Sequence, residues 1–561
     1  MTETTIPDTQ YAVQLVGPGE LKLNQAKDVY RPGPTQILAR VEAVGLCFSD
    51  LKLLKQFSAH PRKSEVVRGL SPQTLAEYPA YRPGTQPTVP GHEAVCRIVA
   101  VGSAVRRHKI GERVLVQADW RKVRTAETNG AFGYNFEGAL QEYALFDERI
   151  VIEPDTGERY LIPAPDGLSA SAVALVEPWA CVENSYVNEE RRTIKAGGRL
   201  AVVADAGAKI AGLAECFARE GAPAAVAACC ADEAQKRALA TLGAPVEFVA
   251  SVNELKNESF DDVVHFGADA ATIAALNDKA AVGGIVCLVL GGRKIGRAVS
   301  VGVGRVHYAA TRWIGTPGGS AADAYRTIPP TGELRAGDQA IVVGAGGPMG
   351  QMHTIRILCC GADNLAVTAT DMDDARLESL RAKAAPQAAA RGVPLRIVNT
   401  QKTPLRETFS YFALMAPVGQ LVADAIAASA PGALINIFAG IPLPTKHELD
   451  LDTYIAHGCF MFGTSGSRIE DMRIVLDKVA AGQLDTNCSV DAVSGMAGAV
   501  DGIAAVENRR MAGKILVYPA LHEMPLIPLH ELGKRYPSVA AKLEHGMWTA
   551  AAEKELLKTA R

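Results

Sequence analysis

Lys195-Ala196-Gly197-Gly198-Arg199-Leu200-Ala201-Val202-Val203 returns 140 residues later as Arg335-Ala336-Gly337-Asp338-Gln339-Ala340-Ile341-Val342-Val343, matching position for position. Each stretch is a turn feeding a short apolar run rich in β-branched residues, which reads as a strand buried on both faces. The register holds through Gly221-Ala222 against Gly361-Ala362. Later landmarks recur at a slightly larger separation, with Trp313-Ile314-Gly315-Thr316 against Met461-Phe462-Gly463-Thr464. Self-similarity over so long a period marks a duplication. From residue 195 onward strand-like runs alternate with helical stretches, the pattern of a parallel sheet with crossover helices. Residues 191–325 and 326–475 therefore read as two tandem α/β units.

The copies differ at one turn. Copy two carries Gly344-Ala345-Gly346-Gly347-Pro348-Met349-Gly350 between its first strand and the next helix. Bare backbone at that place lets a pyrophosphate approach a helix N-terminus. The next strand ends at Asp371, where a carboxylate holds ribose hydroxyls and repels a 2′-phosphate, with Arg376 shortly after it. This is the layout of a Rossmann-type site for NAD, and a side chain at Gly350 is expected to fill the phosphate site. Copy one has Ala204, Ala206 and Ile210 in place of Gly344, Gly346 and Gly350, keeps only Gly207, and has Ala231 where copy two has Asp371. It reads as a degenerate copy, structural or regulatory, without a dinucleotide.

Upstream, residues 11–165 alternate short apolar runs, such as Ile37 to Val44 and Ala94 to Val101, with Gly and Pro, a β-rich module. Two stretches in it carry chemistry: Gly45-Leu46-Cys47-Phe48-Ser49-Asp50 and Pro90-Gly91-His92-Glu93. Thiolate and neutral imidazole are zinc ligands, and catalytic zinc sites use three protein ligands with one position left for water or substrate. Glu93 and Glu177 compete for the third place. Asp50 is placed to orient the His92 ring, and Ser49 to pass a proton from an alcohol. The loop from Arg113 to Gly138, with Trp120, Arg121, Lys122, Arg124, Tyr134 and Asn135, is either exposed or in contact with substrate.

These motifs resemble the zinc-dependent medium-chain dehydrogenases, the alcohol and polyol dehydrogenase superfamily. Val101-Gly102, Gly111-Glu112-Arg113-Val114, Gly138-Ala139 and Gln141-Glu142-Tyr143 fall in the family's order, and the match runs from about residue 10 to 520. The resemblance implies a GroES-like zinc catalytic domain over 1–190, a return to that module over 476–520, and an added helical extension over 521–561. It implies hydride transfer between a carbinol carbon and NAD, with zinc as Lewis acid. Val176-Glu177-Pro178-Trp179-Ala180-Cys181 resembles the polyol branch and favours Glu177 as third ligand, with Cys181 one helical turn on. The four closely spaced cysteines of a structural zinc are missing from Gln117 to Glu142, so one zinc per chain is expected. Lys52 stands where many relatives have a proton-relaying histidine. Lys52, Lys55, His60, Arg62 and Lys63 resemble the stretch in sugar-phosphate reductases and are candidates to hold a phosphate.

Composition excludes other classes. A net charge of −3 over 561 residues offers no basic pole for nucleic acid or anionic membrane. No apolar run is long enough for a membrane span and the N-terminus lacks a secretion pattern. Eleven cysteines without Cys-x-x-Cys read as reduced thiols of a cytoplasmic protein. The expected partner is a small-molecule alcohol, polyol or sugar phosphate, and the terminal helices suggest a homo-oligomer. The alternatives are a dehydrogenase of simple unphosphorylated alcohols and a non-catalytic NAD-binding protein.

Overall fold

The computed structural model describes residues 5–560. The chain divides into two compact units, Met1–Glu183 with Ser467–Arg561, and Asn184–Gly466. Among the described residues no helix is long and apolar enough to cross a membrane.

The second unit is built on one twelve-stranded sheet. Its strands, in chain order, are β1 (Arg199–Ala204), β2 (Ala225–Cys230), β3 (Val246–Phe248), β4 (Phe260–Phe266), β5 (Ala280–Val289) and β6 (Arg312–Thr316) from copy one. Copy two supplies β7 (Gln339–Val343), β8 (Ala366–Asp371), β9 (Leu395–Asn399), β10 (Phe409–Leu414), β11 (Ser429–Ile437) and β12 (Phe460–Phe462). The spatial order is β3-β2-β1-β4-β5-β6-β12-β11-β10-β7-β8-β9. Each half runs in the doubly wound order of a dinucleotide-binding sheet. Neighbours within each half are parallel, whereas β6 meets β12 antiparallel, Trp313 facing Met461. The boundary expected near residue 325 follows the helix Ala321–Tyr325, and one buried cluster crosses it, from Val263, Leu288 and Trp313 to Met461, Ile435 and Phe412. Edge strands with unpaired backbone seek a partner, and here each copy closes the other's edge.

The halves part company after their first strand. In copy two β7 runs into the helix Pro348–Leu358, whose N-cap is Gly347 and whose first turn carries Pro348. Pro suits that position because its missing N–H has no partner there in any helix. In copy one the path from Ala204 to Ala225 holds only a single 3₁₀ turn, Ala214–Cys216. Gly212, which aligns with Met352 inside the second copy's helix, sits at φ 78°, a left-handed conformation that ends helical winding. A Cβ there would lie 2.1 Å from Ser320 Oγ, and Ala321 donates its N–H to the Ala211 carbonyl at 3.0 Å. The helix Ala321–Tyr325 occupies the ground given up.

The first unit holds an eight-stranded, mostly antiparallel sheet. Its centre is the strand Gln36–Gly45, flanked by Glu93–Val101 and Lys514–Val517, the last contributed after the chain returns at Ser467. The C-terminal extension packs within this unit. Glu553, on the helix Ala550–Thr559, accepts from the N–H groups of Ala170 (2.6 Å) and Ser171 (2.7 Å) and from the Tyr518 hydroxyl (2.9 Å). A carboxylate at the start of helix Ala170–Ala174 satisfies donors that the helix cannot. Trp548 and Leu556 of the extension are buried.

Candidate metal centre and nucleotide turn

Two strand ends assemble the first site. Gln36–Gly45 and Glu93–Val101 pair antiparallel with Gly45 opposite Glu93, so Cys47, just past one end, meets His92, just before the other. Ligand atoms of Cys47, His92 and Glu93 lie within 4.8 Å of one another, and no second such group converges among the described residues. Gly45 must be bare, because an added Cβ would sit 2.2 Å from Glu93 Oε2. Asp50 ties the two approaches together. It is 3 % exposed; its Oδ2 accepts from the Cys47 N–H at 3.0 Å, and its Oδ1 accepts from the Gly91 N–H at 3.3 Å and lies 3.3 Å from His92 Nδ1. Burial alone would raise Asp50, yet His92 and the Cys47 N–H hold it below its ordinary value. Burial would lower His92, and Asp50 beside it carries it well above the usual range.

Ser49 Oγ lies 3.2 Å from His92 Nε2. Tyr134, buried just after the strand Asn129–Ala131, packs its ring 5.8 Å from that of His92 and 5.2 Å from that of His60. Burial, then Arg62 and Lys52, lowers His60 to about 4, so it is a neutral base at pH 7. The stretch expected to be a loop is largely strand, Arg113–Val116, Asp119–Thr125 and Asn129–Ala131, because its apolar and polar residues alternate; Trp120 and Asn135 are buried, while Arg121 and Lys122 are exposed.

Lys514 was not anticipated from the sequence. Its ammonium, buried with the carboxylate it meets, lies 2.5 Å from Glu93 Oε1. The signal available was a lone lysine opening the apolar run Lys514-Ile515-Leu516-Val517, since a charge in a buried strand demands a counter-charge. With Oε1 paired, Glu93 Oε2 is buried and without a hydrogen-bond partner among the described residues. Glu177, on the helix Val176–Val187, stands outside the 4.8 Å group. Burial raises its carboxyl above the ordinary range, against the opposing influence of His92. Cys181 Sγ is 4.0 Å from Glu177 Oε1.

The cationic stretch does not stay together. Lys63 is fully buried and donates to the carbonyls of Arg82 and Gln86, and Lys55 pairs with Glu507 at 2.9 Å. Buried Lys63 is thereby withdrawn from any phosphate, while Lys55 stays exposed in a surface ion pair. Exposed Lys52, three residues beyond Ser49 on the same helix, and Arg62, over the Tyr134 ring, remain.

In the second unit Gly344 has φ 83°, and both Gly344 and Ala345 donate to the Thr370 carbonyl, at 2.9 and 2.8 Å. Asp371 Oδ2 accepts from the Gly346 N–H at 2.9 Å and Oδ1 from the Met372 N–H at 2.7 Å. Added at Gly346, a Cβ would lie 2.7 Å from that of Arg376. Gly350 corrects the expectation drawn from its place in the motif. It is buried, and a Cβ there would strike the Gly344 carbonyl at 2.3 Å and Ala345 Cα at 2.6 Å, so its bareness serves helix-on-strand packing. Open space lies at Gly347, beside the partly buried Pro348 and Met349.

Copy one builds the end of its first strand differently, although Gly207, the counterpart of Gly347, also opens on free space. Asp205 accepts from His265 Nε2 at 2.9 Å and from the N–H groups of Ala268 (2.8 Å) and Asp269 (3.1 Å). Although burial opposes it, His265 and these N–H groups lower Asp205 to about 2.

Residues 33–155 match the alcohol dehydrogenase GroES-like domain. That stretch contains Cys47, His92 and Glu93, and the family resemblance and the α/β fold class read from the sequence both stand. The chain is 29% identical over 184 residues to D-altritol 5-dehydrogenase of Agrobacterium fabrum (strain C58 / ATCC 33970), covering 31% of this chain and 44% of that protein. It is 31% identical over 144 residues to L-sorbose 1-phosphate reductase of Klebsiella pneumoniae, covering 25% of this chain and 34% of that one. The matches thus span less than half of each relative. In fold, 2R,3R-butanediol dehydrogenase from Bacillus subtilis superposes with a TM-score of 0.51 at 16% identity, over 91% of this chain and 100% of that one.

Proposed function

We propose that the chain is a zinc-dependent oxidoreductase moving hydride between NAD(H) and a secondary alcohol or ketone of a polyol, sugar or sugar phosphate, in the cytoplasm. The observation that carries this reading is the Cys47, His92 and Glu93 cluster with the orphaned Glu93 Oε2. A thiol, an imidazole and a carboxylate suit one zinc and leave a fourth position open. Glu93 and Glu177 both remain candidates for the third ligand; the polyol motif supports Glu177 and the convergence of ligand atoms supports Glu93.

When bound, zinc would supply a Lewis acid that lowers the pKa of the alcohol, and the dinucleotide would supply the hydride acceptor. The chain's own residues manage the rest. Asp50 holds the His92 ring, and Lys514 holds one oxygen of Glu93 and so aims the other. Ser49 takes the substrate proton. Tyr134, its ring packed beside neutral His60, and exposed Lys52 at the rim are the groups nearest to pass that proton outward. In the second unit the Gly344–Gly350 turn receives the pyrophosphate at the helix N-terminus, and Asp371 receives the ribose.

Elemental analysis combined with a dehydrogenase screen tests the reading, using polyols and their phosphates with NAD and NADP in parallel. One zinc per chain is expected, lost in Cys47→Ser together with activity. Comparing Glu93→Gln, Glu177→Gln and Cys181→Ala identifies the third ligand by zinc retention. Full activity without metal, or two tightly held zincs, overturns the proposal; zinc and NADH binding without turnover on any substrate supports the non-catalytic alternative.

A further inference from the structure

The joint between the two copies has a symmetry that a duplicated sheet does not require. At the separation of 148 residues that aligns Trp313 with Met461, these two equivalent residues face each other across β6 and β12. A second pairing obeys the same rule. The short strands Val299–Val301 and His447–Leu449 run antiparallel, with Ser300 opposite its own equivalent Glu448. Val299 faces Leu449 and Val301 faces His447, so the flanking positions exchange partners reciprocally.

The helices that follow, Val303–Tyr308 and Leu451–Ala456, are also equivalent at this separation, and each packs on the other copy's loop. Asp452 accepts from the N–H groups of Ile295 (3.0 Å) and Gly296 (2.7 Å). Gly304, the counterpart of Asp452, presses on the matching loop, where an added Cβ would lie 2.1 Å from the Pro442 carbonyl oxygen. Residue i contacting j while the equivalent of j contacts the equivalent of i is the mark of an isologous twofold interface.

We propose that copy one is a second subunit carried inside the chain: its partner surface is the edge formed by β12 and His447–Leu449, which a symmetric homodimer would close with another molecule. This explains why a copy that lacks the helix after its first strand keeps its strand order. It also means that the outer edge of β12 is not open to another chain.

Position tests this on the full-length protein. A residue on a twofold axis between chains faces its own symmetry mate, whereas Ser300 and Glu448 here face each other within one chain. Facing residues of an antiparallel pair have Cα atoms about 4.5–5.5 Å apart, within the span of a disulfide. Ser300 is half-buried and Glu448 exposed, so cysteine at either leaves the core intact, which an unchanged melting temperature verifies. After mild oxidation, Ser300→Cys with Glu448→Cys is expected to run at single-chain mass, with the two peptides linked to each other by mass spectrometry. Each single variant is expected to remain at single-chain mass. Doubled mass in either single variant, with the peptide linked to itself, overturns the proposal because that edge would then meet a second chain. A double variant that links only between chains, or fails to link, overturns it as well.

Discussion

Copy one and copy two share a strand order, a sheet and a core, yet differ at the turn after their first strand, where only Gly207 and Gly347 correspond as glycines. In copy two, Gly346, Gly347 and Pro348 open a helix whose N-terminus faces free space. In copy one the helix is gone, and the carboxylate of Asp205 takes up the backbone N–H groups of Ala268 and Asp269. Sheet and site are thus separable properties. The sheet depends on apolar runs that tolerate any residue of suitable volume. The turn depends on missing side chains at a few positions, and one substitution at any of them removes it. What copy one retains is what the shared edge needs.

The strongest challenge to this contrast is Gly350→Val. Its side chain would strike the Gly344 carbonyl and Ala345, so NADH binding by fluorescence titration should weaken at least about a hundredfold, with an overpacking cost of roughly 1–3 kcal/mol in urea unfolding. Ile210→Gly, the reciprocal change in copy one, should leave NADH binding unchanged because no helix follows it. Wild-type protein binding two equivalents of NADH would break the contrast outright.

Gly347→Val separates site from scaffold within copy two. The position opens on free space, so the melting temperature should hold while NADH affinity falls by about ten- to a hundredfold, the worth of roughly 1.5–3 kcal/mol in lost charged hydrogen bonding. A parallel loss of stability would show that the turn is a packing element there too.

Asp371→Ala has a smaller effect with a direction of its own. Losing the carboxylate releases the Gly346 N–H and the ribose acceptor, so NADH should bind about tenfold more weakly, near 1.4 kcal/mol, while NADPH gains relative to it. Equal losses for both dinucleotides would place Asp371 outside the ribose site.

The mildest test concerns Asp205 at the start of copy one's turn. Asp205 has a folded pKa of about 2, below the ordinary 3.8, so its stabilisation is present above about pH 4 and is lost as pH falls from there through 2. Asp205→Asn should cost about 1–2 kcal/mol at pH 6, after allowance for solvent screening, and the gap to wild type should narrow toward pH 2.5. NADH affinity should not move. A variant that gains a second NADH site would show the Asp205 contacts to be all that keeps the dinucleotide from copy one.

Legibility divides along the same line. The duplication, the parallel strands and the metal-ligand motifs could be read directly, because apolar runs, glycine turns and Cys or His motifs are local signals. Lys514 could not, since its role depends on Glu93, a residue far away in sequence that the strand Gln36–Gly45 brings next to it. Lys63 misled for the same reason: among lysines and arginines it looked like part of a phosphate cradle, and only packing turned its ammonium toward two carbonyls. The missing helix of copy one left a trace in Gly212, but a single glycine is compatible with a helix until Ser320 and Ala321 occupy its ground.

By itself the sequence determined that two α/β copies follow a β-rich module bearing Cys47, His92 and Glu93, because periodicity and motif order are properties of neighbouring residues. Tertiary structure alone decided that the copies join edge to edge about a local twofold, that Lys514 balances Glu93, and that the terminal helix caps Ala170–Ala174 through Glu553. Each of these is a pairing between residues far apart in the chain. Such pairings are set by which edges, charges and helix ends lack a partner once the local elements have formed, and no local pattern records that.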